Sequence, residues 1–191
     1  MMSIMLDERK NELVAQAVNG NRYAFSQIVE QEYMLVYRLC YKYCGVREDA
    51  EDITQEVFAK LGRSIHSFKG DSSFNTWLYR LTVNCAKDYF RKSSRRKNET
   101  AFDDSFDAPS NEEPQDEVLY KKQILRAVTK LPVKLKDAVT LVYSEGLSHA
   151  EAAKILGCSE NTVSWRVHEA RKKLMNVKQK VKLFISWMFS L

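Results

Sequence analysis

The chain has 191 residues, of which 45% are hydrophobic, so it is long enough for one large or two small globular domains. Its 30 Lys and Arg exceed its 25 Asp and Glu, and the formal net charge of +5 favours an anionic partner without choosing between nucleic acid and a membrane surface. The 4 cysteines are scattered and follow no disulfide framework, which is typical of a reducing cytosol.

The two ends of the chain carry no pattern for export or for crossing a membrane. Residues 1–13 mix charged and apolar residues and lack the uninterrupted apolar core of a signal peptide. The strongly apolar run at residues 183–191 is shorter than the roughly 20 residues that a membrane span needs. We therefore expect a cytoplasmic protein that is not integral to a membrane.

The first part of the chain predicts two helices between residues 9 and 45, with Gly20 and Gly45 at the ends of the second. Apolar residues at three-and-four spacing predict the core-facing stripe of that second helix: Phe25, Ile28, Val29, Tyr33, Val36, Tyr37, Cys40 and Cys44. The thiols of Cys40 and Cys44 are four residues apart and can share a metal ion, but no second pair of ligands is present. Since both cysteines lie on the apolar stripe, buried thiols are the better interpretation.

The next helix begins near Glu48 and has an acidic face. Ala50, Ile53, Val57 and Leu61 fall on one helical stripe and should face the core. The polar residues outside that stripe are Glu48, Glu51, Asp52, Gln55 and Glu56. This face is either a binding surface or merely solvated, because acids in a first turn also favour the helix dipole.

A basic helix follows from about residue 73 to residue 97, after a polar loop at residues 66–72. The loop and helix carry four aromatic residues beside two bases: Phe68, Phe74, Trp77 and Tyr79 beside Arg80 and Lys87. Single-stranded nucleic acid is held by aromatic stacking inside a positive groove, and this stretch supplies both features. Aromatic residues at helical spacing also pack in cores, so the sequence leaves the two roles open for each ring.

Residues 98–117 hold eight acids and no base, with two of the three prolines. No apolar periodicity supports a packed element there, and we predict a flexible acidic linker between a helical domain at residues 9–97 and a second at residues 118–176. The linker is either a solvated spacer or a cover for basic surface when DNA is absent. Residues 177–191 form a basic and then apolar tail of undetermined role.

The second domain predicts a helix-turn-helix. Ser148 and Glu151 form a capping box, Gly157 ends that helix, and Ser159 caps another that runs to about Met175. In such units the second helix lies in the major groove, and its first residues contact base edges. The residues placed to read bases or bind phosphate are Glu160, Asn161, Thr162, Ser164, Trp165, Arg166, Arg171, Lys172 and Lys173. An ordinary helical hairpin with a solvated basic face is the alternative.

Strand-like alternation is absent from the sequence, so the predicted fold class is all-α. Catalysis finds no support, because His66, His149 and His168 show no local arrangement with an acid or a nucleophile and no phosphate-binding glycine loop occurs. We predict that the chain is not an enzyme and that it needs no cofactor and no metal.

The order of three motifs resembles the extracytoplasmic-function (ECF) sigma factors of bacterial RNA polymerase. Residues 49–58 resemble the core-polymerase-binding motif of that family's second conserved region, and residues 74–84 with Asp88 and Arg91 resemble its promoter-melting segment. Leu131 and Pro132, followed by the helix-turn-helix through Leu174, resemble its fourth region.

The resemblance implies roles for particular residues. Those implied to bind core polymerase are Asp49, Glu51, Asp52, Gln55, Glu56 and Phe58. Those implied at the minus-ten DNA are Phe68, Lys69, Phe74, Trp77, Arg80, Asn84, Lys87, Asp88, Arg91 and Lys92. Those at the minus-thirty-five DNA are Ser159, Glu160, Asn161, Thr162, Ser164, Trp165, Arg166, Arg171 and Lys172.

The implied partners are core RNA polymerase, promoter DNA and an anti-sigma factor. The alternative is a helix-turn-helix regulator that binds duplex DNA without polymerase, and such a protein would not need the acidic helix.

Overall fold

The structure, a computed structural model, describes residues 2–93 and 123–175, with side chains from residue 9 to residue 92 and from residue 123 to residue 175. These residues form helices and turns, with no strand among them, which confirms the all-α prediction. The predicted linker at 98–117 and the predicted tail at 177–191 lie outside the described residues, so the domain bounds remain predictions.

The N-terminal part consists of four helices in sequence: α1 (Met2–Val18), α2 (Arg22–Cys44), α3 (Arg47–Ser64) and α4 (Phe74–Ser93), with one 3-10 turn at Ile65–Ser67. The C-terminal part consists of α5 (residues 123–129), α6 (Val133–Val139), a π-helical turn at Thr140–Ser144, α7 (His149–Leu156) and α8 (Glu160–Met175). The two helices predicted between residues 9 and 45 are confirmed as α1 and α2.

Local signals set both ends of α2. The Asn21 side chain accepts hydrogen bonds from the backbone N–H groups of Tyr23 and Ala24, at 3.0 and 3.1 Å, and so caps the first turn. At the other end Gly45 has φ +73°, a left-handed conformation that glycine adopts without a Cβ clash. Its N–H donates to the Tyr41 carbonyl, and this bond closes the helix.

The N-terminal core lies between α2, α3 and α4, where Ile28, Leu39, Ile53 and Leu78 are each at most 1% exposed. The stripe predicted for α2 is confirmed at Ile28, Val36, Cys40 and Cys44 but is wrong at Tyr33, which is 39% exposed. Five residues of α-helix rotate Tyr33 about 140° from Ile28, so the two side chains point to different sides of α2.

Burial dominates the chemistry of the two cysteines on α2. Cys40 and Cys44 are buried, as predicted, and burial raises the pKa of each thiol to about 12. Among the described residues, no group of three His, Cys, Asp or Glu side chains is arranged to hold a metal ion. Within the same residues, no helix combines the length and the apolar character that a bilayer crossing requires.

The predicted helix-turn-helix is confirmed in its local detail. The Ser148 hydroxyl accepts from the backbone N–H of Glu151, and the Glu151 carboxylate accepts from the backbone N–H of Ser148 at 2.9 Å. These bonds to Ser148 lower the pKa of Glu151. Gly157 ends α7 with φ +63°, and the Ser159 hydroxyl caps α8 by accepting from the N–H of Thr162 at 3.2 Å.

The C-terminal part has a core of its own and also packs on the first part. Leu131, Leu135, Val139 and Leu174 are buried together between α6 and α8. A second buried cluster is continuous from α4 into α7, where it includes Ile155. The structure is therefore a closed arrangement, which we define as α6, the π-helical turn and α7 packed against α2 and α4.

Candidate polymerase and DNA interfaces

The helix α3 presents the acidic face that its pattern predicted. Ala50, Ile53, Val57 and Leu61 are at most 1% exposed, so the predicted apolar stripe is confirmed. Asp52, Gln55 and Glu56 lie on the opposite side and are exposed. The Glu56 carboxylate lies 3.6 Å from Lys60 Nζ. Solvent screens this ion pair because it lies at the surface.

Two further acids of α3 have partners, one on α4 and one on α3 itself. The Tyr89 hydroxyl donates to the Asp49 carboxylate at 2.5 Å and so joins α4 to α3. Burial, followed by this bond to Asp49, raises the pKa of Tyr89. Glu51 forms an ion pair with Arg47 at 3.1 Å, one turn earlier on the same helix.

An aromatic patch borders the acidic face. Phe58 of α3 is half-buried and stacks on Tyr33 of α2, with ring centroids 5.9 Å apart and an interplanar angle of 11°. Met34 beside Tyr33 is 55% exposed. The sequence placed Tyr33 in the core and therefore missed that α2 extends the surface around Phe58.

Three aromatic rings cluster where the loop after α3 meets α4. The Phe68 and Trp77 centroids are 5.3 Å apart, and Phe74 lies 5.9 and 6.0 Å from them. Phe68 and Trp77 are half-buried, whereas Phe74 is 3% exposed and belongs to the core. We therefore remove Phe74 from the residues expected to contact a base, because the first turn of α4 packs its ring inward.

The polar residues predicted at the minus-ten DNA divide into two groups. Four of them are exposed, namely Lys69, Asn84, Arg91 and Lys92, and a fifth, the half-buried Asp88, pairs with Arg91 at 3.1 Å. The other two contact the C-terminal part: Lys87 Nζ lies 2.7 Å from the Asp137 carboxylate, and Arg80 donates to the Lys154 carbonyl at 2.6 Å.

The outer face of α8 is formed by residues at helical spacing on the side away from its buried residues. Asn161, Trp165, His168 and Lys172 are exposed along this face, and Trp165 is 61% exposed. Sequence reasoning missed His168, although its spacing from Trp165 and Lys172 is itself a helical signal. We call these four residues the α8 outer face.

Several residues predicted on α8 form bonds inside the helix-turn-helix instead. Ser164 bonds to His149 Nδ1 at 2.8 Å, which joins α8 to α7. Arg166 is half-buried and donates to the Cys158 sulfur at 3.6 Å, while Ser159 is the cap described above. Glu160 is exposed at the helix start, and Arg171 is exposed in the second half of the helix.

Two family models match the chain in the order that the motifs predicted. The model for Sigma-70 region 2 matches residues 28–96, and that for Sigma-70 region 4 matches residues 121–174. The first match contains α3 and α4, and the second contains the helix-turn-helix.

Known proteins resemble the chain over most of its length. An ECF RNA polymerase sigma-E factor of Haemophilus influenzae is 36% identical over 177 residues, which cover 86% of this chain and 92% of that protein. The structure is similar to that of CnrH, solved in complex with the cytosolic domain of CnrY, with a TM-score of 0.65, 25% identity and coverage of 86% and 94% of the two chains.

A second solved structure has the same fold at lower identity. The sigma factor RpoE of Bartonella quintana, solved in complex with the anti-sigma factor NepR, has a TM-score of 0.66 at 22% identity and covers 80% of this chain and 94% of its own. With both conserved regions present and a relative at this identity, the chain belongs to the ECF family of RNA polymerase sigma factors, the proteins that direct the polymerase to promoters and start transcription.

Proposed function

We propose that this sigma factor uses a separate surface for each of its partners. The observation that carries the proposal is the division of charge between neighbouring helices. The exposed acids of α3 form one group, and the bases and half-buried aromatic rings of α4 and its loop form another. The two groups meet where Lys60 of α3 lies 3.6 Å from Asp88 of α4. Opposite charges suit partners of opposite charge, a basic protein surface and an anionic nucleic acid.

The acidic face of α3 is the surface for core polymerase. Asp52, Gln55 and Glu56 are exposed there, and Phe58 with Tyr33 supplies an aromatic anchor at its border. A protein interface usually has aromatic anchors at its centre and charged groups at its rim, so we place the centre of this interface at Phe58 and Tyr33 and the acids of α3 at its rim. Asp49 acts differently, because its bond to Tyr89 positions α3 against α4.

The loop and α4 form the surface for the melted minus-ten strand. Phe68 and Trp77 are placed to stack on bases, which is worth about 1–3 kcal/mol per base. This gain offsets the few kcal/mol that extruding a base from the duplex costs. Lys69 follows Phe68 in the loop, whereas Arg91 and Lys92 lie in the last turn of α4; all three are exposed, and we assign them to phosphates of the strand.

The α8 outer face enters the major groove at the minus-thirty-five element. Asn161 presents an amide that suits adenine, and Lys172 lies where a phosphate contact is expected. The side chains of Ser164 and Arg166 hold the helix-turn-helix together through His149 and Cys158, so we assign them to positioning α8.

We infer an anti-sigma factor as a further partner, since the similar protein CnrH binds the cytosolic domain of a second protein, CnrY. We also infer that the chain acts in the cytoplasm, where polymerase and promoter DNA are, and that it has no catalytic activity of its own.

Reconstituted transcription tests this function. Adding the purified chain to core polymerase should give specific transcripts from its own promoter, and neither component should do so by itself. A helix-turn-helix regulator would bind the duplex yet fail to co-purify with core enzyme. Duplex binding without any core binding would therefore replace the proposal with that alternative.

The exposed indole of Trp165 predicts a preference for thymine at one minus-thirty-five position. Large apolar side chains in the major groove contact the thymine methyl group. Replacing that thymine with uracil removes one methyl group and should weaken binding about fourfold, given about 0.8 kcal/mol per buried carbon. Binding to duplexes with single thymine-to-uracil changes measures the effect, and Trp165→Ala should abolish it.

Lys172→Ala is the matched control on the α8 outer face. It should weaken binding to every sequence and flatten the salt dependence, while leaving the thymine preference intact. If Trp165→Ala still distinguished thymine from uracil as the parent chain does, Trp165 would not read the methyl group.

A further inference from the structure

One lysine of α1 contacts two other helices of the N-terminal part. Lys10 forms an ion pair with the Glu32 carboxylate of α2 and donates a hydrogen bond to the side-chain oxygen of Asn75 at 2.5 Å. Its ammonium group also lies 5.8 Å from the centroid of the Phe74 ring, within the range of a cation–π contact. Lys10 therefore joins α1 to α2 and to the first turn of α4.

Burial makes this contact specific. The Glu32 side chain is 7% exposed and the Lys10 side chain is 21% exposed. Charged side chains are almost never buried unless they are paired, so Glu32 needs a cation at this place. Lys10 supplies that cation, and its ammonium group, which carries three N–H donors, can bond to Glu32 and Asn75 together. The ion pair with Glu32 thus fixes the point from which Lys10 holds Asn75.

Apolar contacts hold the helix that carries this lysine. Val14 of α1 is 4% exposed and belongs to the same buried cluster as Phe74 and as Ile65, which begins the 3-10 turn. The loop at residues 68–73 runs from that turn to α4. α1 therefore contacts the turn before the loop and, through Lys10, the helix after it.

The first turn of α4 contacts the rings that we assign to base stacking. Phe74 lies 5.9 Å from Phe68 and 6.0 Å from Trp77, measured between ring centroids. Phe68 and Trp77 are half-buried, so each has a face against the core and an edge open to solvent. Because Lys10 contacts both Phe74 and Asn75, a shift of α4 at this point would move both stacking rings.

We propose that Lys10 is a positioning residue for minus-ten recognition, which holds Phe68 and Trp77 in the arrangement that stacks on bases through its contacts with the first turn of α4. It acts from outside residues 28–96, the segment that the region 2 model matches. The effect on DNA rests on the proposed function of α4. The effect on the aromatic rings rests on the contacts of Lys10 alone, so the two parts can fail separately.

Fluorescence quenching of Trp77 follows the aromatic cluster without DNA. In a chain with Trp165→Phe and Trp187→Phe, Trp77 is the only tryptophan left of the 3. Lys10→Met, which removes the charge and keeps a long side chain, should raise the constant for quenching by acrylamide. Arg9→Met removes the same charge from an exposed position on α1 and should leave it unchanged. Equal quenching in Lys10→Met and its parent would overturn the positioning role.

Binding of a single-stranded minus-ten oligonucleotide by the holoenzyme tests the consequence for DNA. Lys10→Met and Asn75→Ala should each weaken binding about tenfold, about the effect of losing one stacked base. The double variant should bind no more weakly than Lys10→Met, because Asn75→Ala then removes a contact that is already lost. Arg9→Met should bind as the parent does. Losses that add up in the double variant would overturn the proposal.

The salt dependence of the same binding separates positioning from a direct phosphate contact. A lysine that neutralises a phosphate of a single strand contributes about 0.7 to the salt slope. The ammonium of Lys10 is bonded to Glu32 and Asn75, so Lys10→Met should weaken binding and leave the slope unchanged. A flatter slope would make Lys10 a contact to DNA instead of a positioning residue.

A double apolar variant separates positioning from general stability. Lys10→Met by itself leaves the Glu32 carboxylate buried and uncompensated, which lowers the melting temperature. Lys10→Met with Glu32→Met removes both charges and should restore that temperature, since apolar replacements of a buried pair are often neutral or stabilising. Binding of the oligonucleotide should stay weak, because the bond to Asn75 is still missing. Recovery of affinity together with stability would leave Lys10 a purely structural role.

Phe68→Ala shows which part fails if the oligonucleotide results are negative. It should weaken binding of the oligonucleotide if the loop holds the strand, because it removes one stacking ring. Equal binding by Phe68→Ala and the parent would count against the proposed function of α4. The quenching of Trp77 would then still decide whether Lys10 holds the aromatic rings in place.

Discussion

Replacing both Asp52 and Glu56 of α3 with lysine should greatly weaken the binding of this sigma factor to core RNA polymerase. The two acids are exposed on the same face of the helix, so the substitutions should leave the buried stripe undisturbed. Hot-spot truncations cost about 2 kcal/mol or more each, and opposing like charges add to that cost. We expect a loss of at least about 4 kcal/mol, which is at least about a thousandfold in affinity.

Titration of labelled core enzyme with each variant measures this loss. The matched control is Glu12→Lys with Glu30→Lys, which makes the same change in charge at exposed positions of α1 and α2. Added positive charge by itself should leave duplex binding equal or tighter, so the same variants are also tested on minus-thirty-five duplex. Normal core binding by the α3 variant would remove α3 from the polymerase interface.

Replacing Arg91 and Lys92 with alanine should impair promoter melting while sparing core binding. Both side chains are exposed in the last turn of α4, on the surface that we propose for the melted strand. A contact between charged groups is worth about 1.5–3 kcal/mol, so losing two should reduce open-complex formation by at least about a hundredfold. Loss of two phosphate contacts should also flatten the salt dependence, by a slope of about 0.7 for each contact to single-stranded DNA.

Fluorescence of a base analogue in the minus-ten region follows melting by the holoenzyme. Lys130→Ala with Lys134→Ala removes the same charge from exposed positions of the C-terminal part and should melt the promoter normally. Equal melting by the two double variants would show that net charge, rather than the end of α4, sets the rate.

Short-range signals were enough to predict most of the helical architecture. The capping box of Ser148 and Glu151 and the turn at Gly157 depend on residues within one or two helical turns, and they predicted the helix-turn-helix correctly. The apolar stripe of α3 likewise predicted the acidic face correctly, because a helix that buries one side must expose the other. Motif order then indicated the family without any long-range information.

The inward or outward position of single aromatic rings depends on contacts that lie far apart in the chain. Tyr33 matches the apolar spacing of α2, yet the packing of α2 leaves it at the surface against Phe58. The sequence placed Phe74 among the aromatic residues expected to contact DNA, yet its ring is buried in the core, in contact with Phe68 and Trp77. Periodicity assigns a residue to a side of its helix, and the neighbouring helices select which sides are covered.

The pairing of the two parts of the chain arises only in the tertiary structure. Lys87 and Asp137 are fifty residues apart and look like ordinary surface charges in the sequence, since neither has a local partner pattern. Their ion pair at 2.7 Å exists because α6 packs on α4. Local patterns therefore determined which helices form and which family they indicate, while packing between distant helices decided which charged groups are buried and which stay exposed.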